Sequence, residues 1–358
     1  VQAKVAHNIM NCKTGAYGAN VCVCEDCGFV QIHYNSCRNR CCPMCQAVPK
    51  EMWMDARRED VLDAPYFHLV FTVPDILNPV IYSNQRLLYD ALYHAASSTI
   101  SELTADPKHL GAKVGYICIL HTWGSEMNFH PHIHTILLGG GLASNNQWKD
   151  NGENFFLPIR VISKMFRGKY LEELKRLWEE DKLVFHGTAE KFRNHYTFKE
   201  LLDSCYGMDW IPHCKKTFNG AQTVIKYLGK YTHRIAVSNH RIVRMDDDTV
   251  TFLVKDYRNE GQWKELTISG VEFVRRFLMH VPPRRFVRIR HYGLLCSRTK
   301  SQKLTLCRNL LGCKKYLSKL RDMEMPEILE HLYGIKVCVC KACGGHLGKP
   351  QMRMPLRC

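Results

Sequence analysis

The chain has 358 residues, 50 of them Lys or Arg against 34 Asp or Glu, for a formal net charge of +16. That length predicts two or three domains with a full-sized core, and a hydrophobic fraction of 46% excludes a disordered chain. No stretch approaches the roughly 18 uninterrupted apolar residues of a membrane span, and so basic a chain points to a polyanionic partner.

Residues 1–48 are rich in cysteine and poor in long apolar runs, so metal is expected to stand in for a core. Cys24 and Cys27, then fourteen residues, then Cys42 and Cys45 match a four-thiolate structural zinc site. Cys12, Cys37 and Cys41, with Cys22, His7 and His33 nearby, are candidates for a second. Paired cysteines with no secretory segment predict a reducing, cytoplasmic setting, and Val1 in place of Met is expected of a chain trimmed at its start.

After Pro43 a helix is predicted through Met52 to Arg58, then a strand from Tyr66 to Val73. Apolar residues recur at helical spacing from Gln85 to Ile100. Val114–His121 and His132–Leu138 read as strands joined by the turn Gly124–Phe129, with Gly139, Gly140 and Gly141 ending the second. Ala143–Asn154 reads as a loop, Met165–Glu180 as a charged helix and Trp210–Phe218 as a strand. Asn219-Gly220 is a candidate cap for a helix from Ala221 to about Tyr231. Short strands at Arg241–Arg244, Thr249–Val254 and Trp263–Ile268 surround an Asp246–Asp248 turn, and a helix follows at Val271–His280. The tail repeats an earlier stretch: Cys22-Val-Cys-Glu-Asp-Cys-Gly28 resembles Cys338-Val-Cys-Lys-Ala-Cys-Gly344. Cys338, Cys340, Cys343, His346 and Cys358 are either a further zinc cluster or free thiols.

Two groups carry candidate chemistry. On a strand, His132 and His134 point to one face, and an antiparallel hairpin can bring His121 beside them as a third ligand, leaving coordination positions open. Alone, such a pair is equally compatible with ordinary histidines that hold no metal; His130 and Glu126 in the turn are weaker candidates. Tyr227 and Tyr231, four apart on a predicted helix, would present two phenols on one face. A phenol with a pKa of about 10 is a poor nucleophile unless a metal polarises the electrophile and a cation such as Lys230 stabilises the phenolate. By themselves, two tyrosines at this spacing are more often packing residues.

Together these residues resemble the HUH family of single-strand endonucleases, in its two-tyrosine insertion-sequence transposase branch, related to Helitron transposases. The resemblance rests on Tyr34-Asn-Ser-Cys-Arg-Asn-Arg40 with Cys42-Pro-Met-Cys-Gln46; Phe67-His-Leu-Val-Phe-Thr-Val-Pro74; Leu120-His-Thr-Trp-Gly124; His130-Pro-His-Ile-His134; Tyr227-Leu-Gly-Lys-Tyr-Thr-His-Arg234; and Arg288-Ile-Arg-His-Tyr-Gly-Leu294. It implies His132 and His134 as ligands of Mg²⁺ or Mn²⁺, His121 as a third, and Tyr227 and Tyr231 as nucleophiles that form 5′-phosphotyrosine. Cys41 stands where relatives often carry His, which leaves the second zinc's ligand set open.

From Pro282 to Lys315 cations alternate with rings, a pattern suited to phosphate contact and base stacking on a single strand. Arg284, Arg285, Arg288, Arg290 and His291 are the DNA-contact candidates. The expected architecture is α+β: a zinc-binding domain at 1–48, a catalytic domain at 60–280 with a central antiparallel sheet flanked by helices, and a basic C-terminal region at 281–358. The expected function is a bacterial DNA transposase acting on single-stranded ends of a mobile element. With no Walker-type Gly-rich Lys-Ser/Thr motif, any helicase would come from the host. The alternatives are a rolling-circle replication initiator or relaxase, and a non-catalytic zinc-dependent DNA-binding protein.

Overall fold

Near-continuous runs of buried residues rich in Val, Ile and aromatic side chains organise the middle of the chain into strands covered on both faces. A computed structural model describes residues 1–150, 157–210, 212–218, 229, 235–256 and 260–353. The N-terminal module comprises α1 (Gln2–Met10), β1 (Ala19–Val23), β2 (Val30–Tyr34) and α2 (Ala47–Arg58). β3 (Tyr66–Thr72), α3 (Asn78–Ser83), α4 (Gln85–Ala105), β4 (Lys113–Trp123), β5 (Phe129–Leu142), β6 (Trp148–Asp150), α5 (Ile159–Glu179), α6 (His195–Gly207) and β7 (His213–Phe218) follow. Then come β8 (Ile242–Met245), β9 (Thr249–Asp256), β10 (Gln262–Ser269), α7 (Gly270–Met279), β11 (Ile289–Gly293), α8 (Lys300–Leu311), α9 (Met325–Tyr333) and β12 (Gln351–Arg353). No described helix is long and apolar enough to cross a membrane.

The central sheet has the order β11-β4-β5-β3-β7, with β6 added beside β5, and its pairs are antiparallel. The α+β expectation holds. One face carries Phe67, Leu69, Phe71, Cys118 and Ile133 against the apolar sides of α4, α5 and α6. The other carries Tyr66, Ile117, Ile119, Ile136 and Leu138, covered by Leu304 and Cys307 of α8 and by Trp53 and Met54 of α2. A separate sheet, β10-β9-β8, buries Phe252 and Val254 against Ile235, Val281 and Val5. Its β9–β10 hairpin is followed directly by α7, where the Ser269 hydroxyl accepts from Glu272 N–H (3.2 Å), an N-cap.

Three expectations need correction. Gly139–Gly141 do not end the strand: β5 runs on to Leu142. A Cβ on Gly140 would stand 2.4 Å from the Trp148 ring, and one on Gly141 2.4 Å from the Lys113 carbonyl oxygen. The glycines are there for close approach of neighbours. The stretch Ala143–Asn154 is not all loop, since Trp148–Asp150 form β6; the rest of it from 151 lies outside the described residues. The C-terminal region is not separate either, because β11 is an edge strand of the central sheet and β12 pairs with β1 in the zinc module. The predicted cap at Asn219-Gly220 and all but Gly229 of the helix after it lie outside the described residues.

β11 also supplies a sharp test of packing. Gly293 closes it at φ +62°, and a Cβ there would stand 1.8 Å from the Val114 carbonyl oxygen on β4. Left-handed backbone alone costs an L-residue roughly 1–2 kcal/mol, and here the strand must also move. Gly293→Ala should therefore lower the thermal unfolding midpoint by several degrees. An unchanged midpoint would show that the edge strand is not held as described.

Candidate metal centre

Cross-strand register brings the histidines together. His121 on β4 lies directly opposite His132 on β5, and His134 is two residues further along the same face. All three are buried, and their ring nitrogens lie within 4.8 Å of one another. The His132 and His134 Nε2 atoms are 3.0 Å apart. Ligands at about 2.1 Å from a metal in adjacent octahedral positions stand about 3.0 Å apart, so the spacing fits a small divalent ion.

The other ring nitrogens are taken up by protein. His132 Nδ1 lies 2.7 Å from the His130 carbonyl oxygen, and His134 Nδ1 lies 2.9 Å from Nε2 of His68 on β3. Such outer contacts fix tautomer and ring orientation. Burial, reinforced by His130 and His68, pushes His132 down to about 3. Burial, with His121, His132 and His68, holds His134 well below the usual imidazole range. Both rings are thus neutral, the form that coordinates metal.

His68 received no role from the sequence, although it stands inside a quoted motif; a buried polar residue in the apolar run of β3 is the signal that could have found it. His130 and Glu126 are outside the trio: His130 faces Asp75 (3.3 Å) and Glu126 holds Asn128. Trp123 stacks on His121 with centroids 4.5 Å apart, and the Arg288 guanidinium lies 5.6 Å from the centroid of that indole ring.

The remaining DNA-contact candidates divide. Arg284 and Arg285 are exposed. Arg290 turns to the opposite face, ion-paired with Asp90 and over the Tyr93 ring at 3.9 Å. His291, half-buried, shares the face of Ile117, and burial pushes it down to about 4. Packing and a local carboxylate, rather than an open polyanion surface, account for these two. Tyr227, Tyr231 and Lys230 lie outside the described residues.

The zinc ligands also regroup. Cys12, Cys37, Cys42 and Cys45 form one cluster, with sulfur separations of 3.5 Å (Cys12–Cys45), 3.6 Å (Cys37–Cys45) and 3.7 Å (Cys12–Cys42). Zinc–sulfur bonds of about 2.3 Å in a tetrahedron set sulfurs about 3.8 Å apart, so this cluster fits zinc. Burial raises the Cys45 thiol, but contacts with Cys12, Ser36, Cys37 and Cys42 outweigh it and bring it down to about 7, while burial pushes Cys42 up to about 11. Deprotonated together, four sulfurs this close would need a shared cation, which zinc supplies when bound.

Cys24 and Cys27 do not join Cys42 and Cys45 as expected. They meet Cys340 and Cys343. Cys41 is no ligand of either cluster; it packs with Val5, Met127 and Ile235. Its neighbour Arg40 ties the module to the central domain by donating to the carbonyls of Phe286 (2.8 Å) and Pro283 (2.9 Å).

An antiparallel sheet with a buried three-histidine cluster, joined to a cysteine module, defines a metal-site protein with a structural zinc domain. Residues 115–303 match the family described as "Putative transposase", and residues 1–73 match "Transposase zinc-binding domain". The chain is 39% identical over 345 residues to "Putative transposase y4qJ" of Sinorhizobium fredii, covering 96% of this chain and 87% of that protein. It is 30% identical over 309 residues to the transposase for insertion sequence element IS801 of Pseudomonas savastanoi pv. phaseolicola, covering 85% of this chain and 72% of that one. Among solved structures, conjugative relaxase TrwC in complex with oriT DNA is similar in its metal-bound form at 17% identity and a TM-score of 0.24, covering 31% of this chain and 43% of that one. Its metal-free form is similar at 12% and 0.26, covering 46% and 71%. The chain belongs to the insertion-sequence transposase family that carries an N-terminal zinc-binding domain.

Proposed function

We propose that this transposase nicks and rejoins single-stranded ends of a mobile element through tyrosine attack, with Tyr227 and Tyr231 as the nucleophiles. The observation that carries the reading is the buried trio His121, His132 and His134 within a transposase-family chain. Mg²⁺ or Mn²⁺ held by these imidazoles supplies polarisation of the scissile phosphate when bound. His68 keeps His134 oriented, and Arg288, stacked over Trp123, adds positive charge beside the trio.

The position of Gly229, midway between the two tyrosines, supports the assignment. It is buried where an added Cβ would meet the Met54 sulfur, and Met54 packs against the apolar cluster that includes Ile117, Ile119 and Ile136, on the sheet face that carries the three histidines. Lys230 stabilises the phenolate. The tyrosine oxygen attacks phosphorus, the bond from phosphorus to the 3′ oxygen breaks, and that oxygen leaves as a hydroxyl with the proton the phenol gave up. One phosphate ester replaces another, so a 3′-OH can reverse the step and join strands without ATP. A second tyrosine lets a second strand be cut while the first is still attached.

The partner in this reading is single-stranded DNA at the element's ends and at the target, in the bacterial cytoplasm, with Arg284 and Arg285 making exposed phosphate contacts. A host helicase would supply the single strands. The test is nicking of a labelled oligonucleotide carrying an element end, with Mn²⁺. A cut product and a protein-linked band should form on the single strand, fail to form on the duplex, and vanish with EDTA. Binding without cleavage in every divalent metal would contradict the proposal.

A further inference from the structure

We propose that Cys24 and Cys27 from the N-terminal module and Cys340 and Cys343 from the C-terminal tail together hold a second zinc ion, which clamps the two ends of the chain together. The four sulfurs lie within 4.8 Å of one another, with Cys24–Cys343 at 3.5 Å and Cys27–Cys340 at 3.8 Å. These distances again match the spacing of about 3.8 Å in a tetrahedral zinc–thiolate centre. Neither pair shares a sulfur with the Cys12 cluster.

The two pairs sit on matching turns. Cys24 N–H donates to Phe29 O (2.9 Å) and Gly28 N–H to Cys24 O (3.1 Å); Cys340 N–H donates to Gly345 O (2.8 Å) and Gly344 N–H to Cys340 O (2.9 Å). Gly28 and Gly344 take the same left-handed backbone, φ +70° and +78°, which favours glycine after each Cys-x-x-Cys. The repeated sequence is therefore a repeated structure, two half-sites facing one another. Backbone bridges join them: Cys24 pairs with Leu347, and Gly348 N–H donates to Val23 O (2.9 Å). In the tail, Cys340 and Cys343 sulfurs accept from Ala342 and Gly345 N–H groups, both at 3.4 Å, as metal-bound thiolates commonly do.

What else holds the tail is slight. The buried apolar cluster here consists of Cys22, Cys24, Cys340 and Leu347, and β12 pairs with β1 over three residues, Ala19 to Val21. Beyond these, Glu25 N–H donates to His346 O and His346 N–H to Asp26 Oδ2, both at 3.1 Å, and so small a core leaves a metal as the natural staple. The module that begins the chain is thus completed by residues some three hundred positions later, outside the 1–73 zinc-binding match.

Metal analysis of the purified full chain should find two zinc ions per molecule. Cys340→Ser with Cys343→Ser should remove one, Cys24→Ser with Cys27→Ser the same one, and all four substitutions together still only one. Alkylation mapped by mass spectrometry supplies the folding control. In the Cys24/Cys27 variant, Cys340 and Cys343 should become labelled while Cys12, Cys37, Cys42 and Cys45 stay protected. Unchanged zinc in the tail variant, loss of both ions in either pair variant, or additive losses in the fourfold variant would each overturn the clamp.

Discussion

The double variant Tyr227→Phe, Tyr231→Phe is expected to form no covalent adduct with a labelled single-stranded oligonucleotide, while at least one single variant still does. Phenylalanine keeps the ring and removes only the attacking oxygen, so packing is preserved and chemistry is lost. Lysine and arginine neighbours can stabilise a phenolate, but they cannot replace its bond to phosphorus. Both single variants should fail to complete transposition, because one tyrosine cannot hold one strand and cut another. Denaturing gels read the adducts and an element-mobility assay reads the rest. Full transposition by either single variant would reduce that tyrosine to packing.

The second large effect concerns the trio. His132→Ala with His134→Ala leaves His121 without its partners, and nicking should fall by at least about 10³-fold, the scale of losing preorganised stabilisation of transition-state charge. Binding to single-stranded DNA should be largely spared, because phosphate neutralisation by Lys and Arg dominates it. The variant should remain folded by circular dichroism: Phe67, Leu69, Phe71 and Ile133 form a core on the opposite face of the sheet. Wild-type nicking by the double variant would refute the metal-site assignment.

Where a periodic pattern carried the signal, the fold was readable in advance. The strands of the His face follow from short apolar, β-branched runs, the helix from Gln85 from its helical spacing, and the juxtaposition of His121 with His132 from a short hairpin. What was hidden depends on contacts between distant residues. Cys-x-x-Cys spacing identifies half of a zinc site but not its other half. The spacing therefore points to the nearest pair, Cys42 and Cys45, whereas the neighbours of Cys24 in the fold are more than three hundred residues away. Arg290 reads as a DNA contact because it stands in a run of cations interleaved with rings; its ion pair with Asp90, two hundred residues earlier, is invisible in that run. His68 carries no signal of its role in the linear sequence, because its partner His134 lies on the neighbouring strand. The glycines of β5 read as a stop because their close neighbours, Trp148 and Lys113, come from other strands. α6 has little local signal beyond its N-cap, Asn194, whose side chain accepts from Tyr196 and Thr197 N–H groups.

Peptide mapping of the wild-type protein–DNA adduct tests the central claim most directly. After nicking with Mn²⁺ and nuclease trimming, mass spectrometry should place a nucleotide linked through its 5′ phosphate on the peptide that contains Tyr227 or Tyr231. A nucleotide on any other residue, or linked through its 3′ phosphate, would contradict the account.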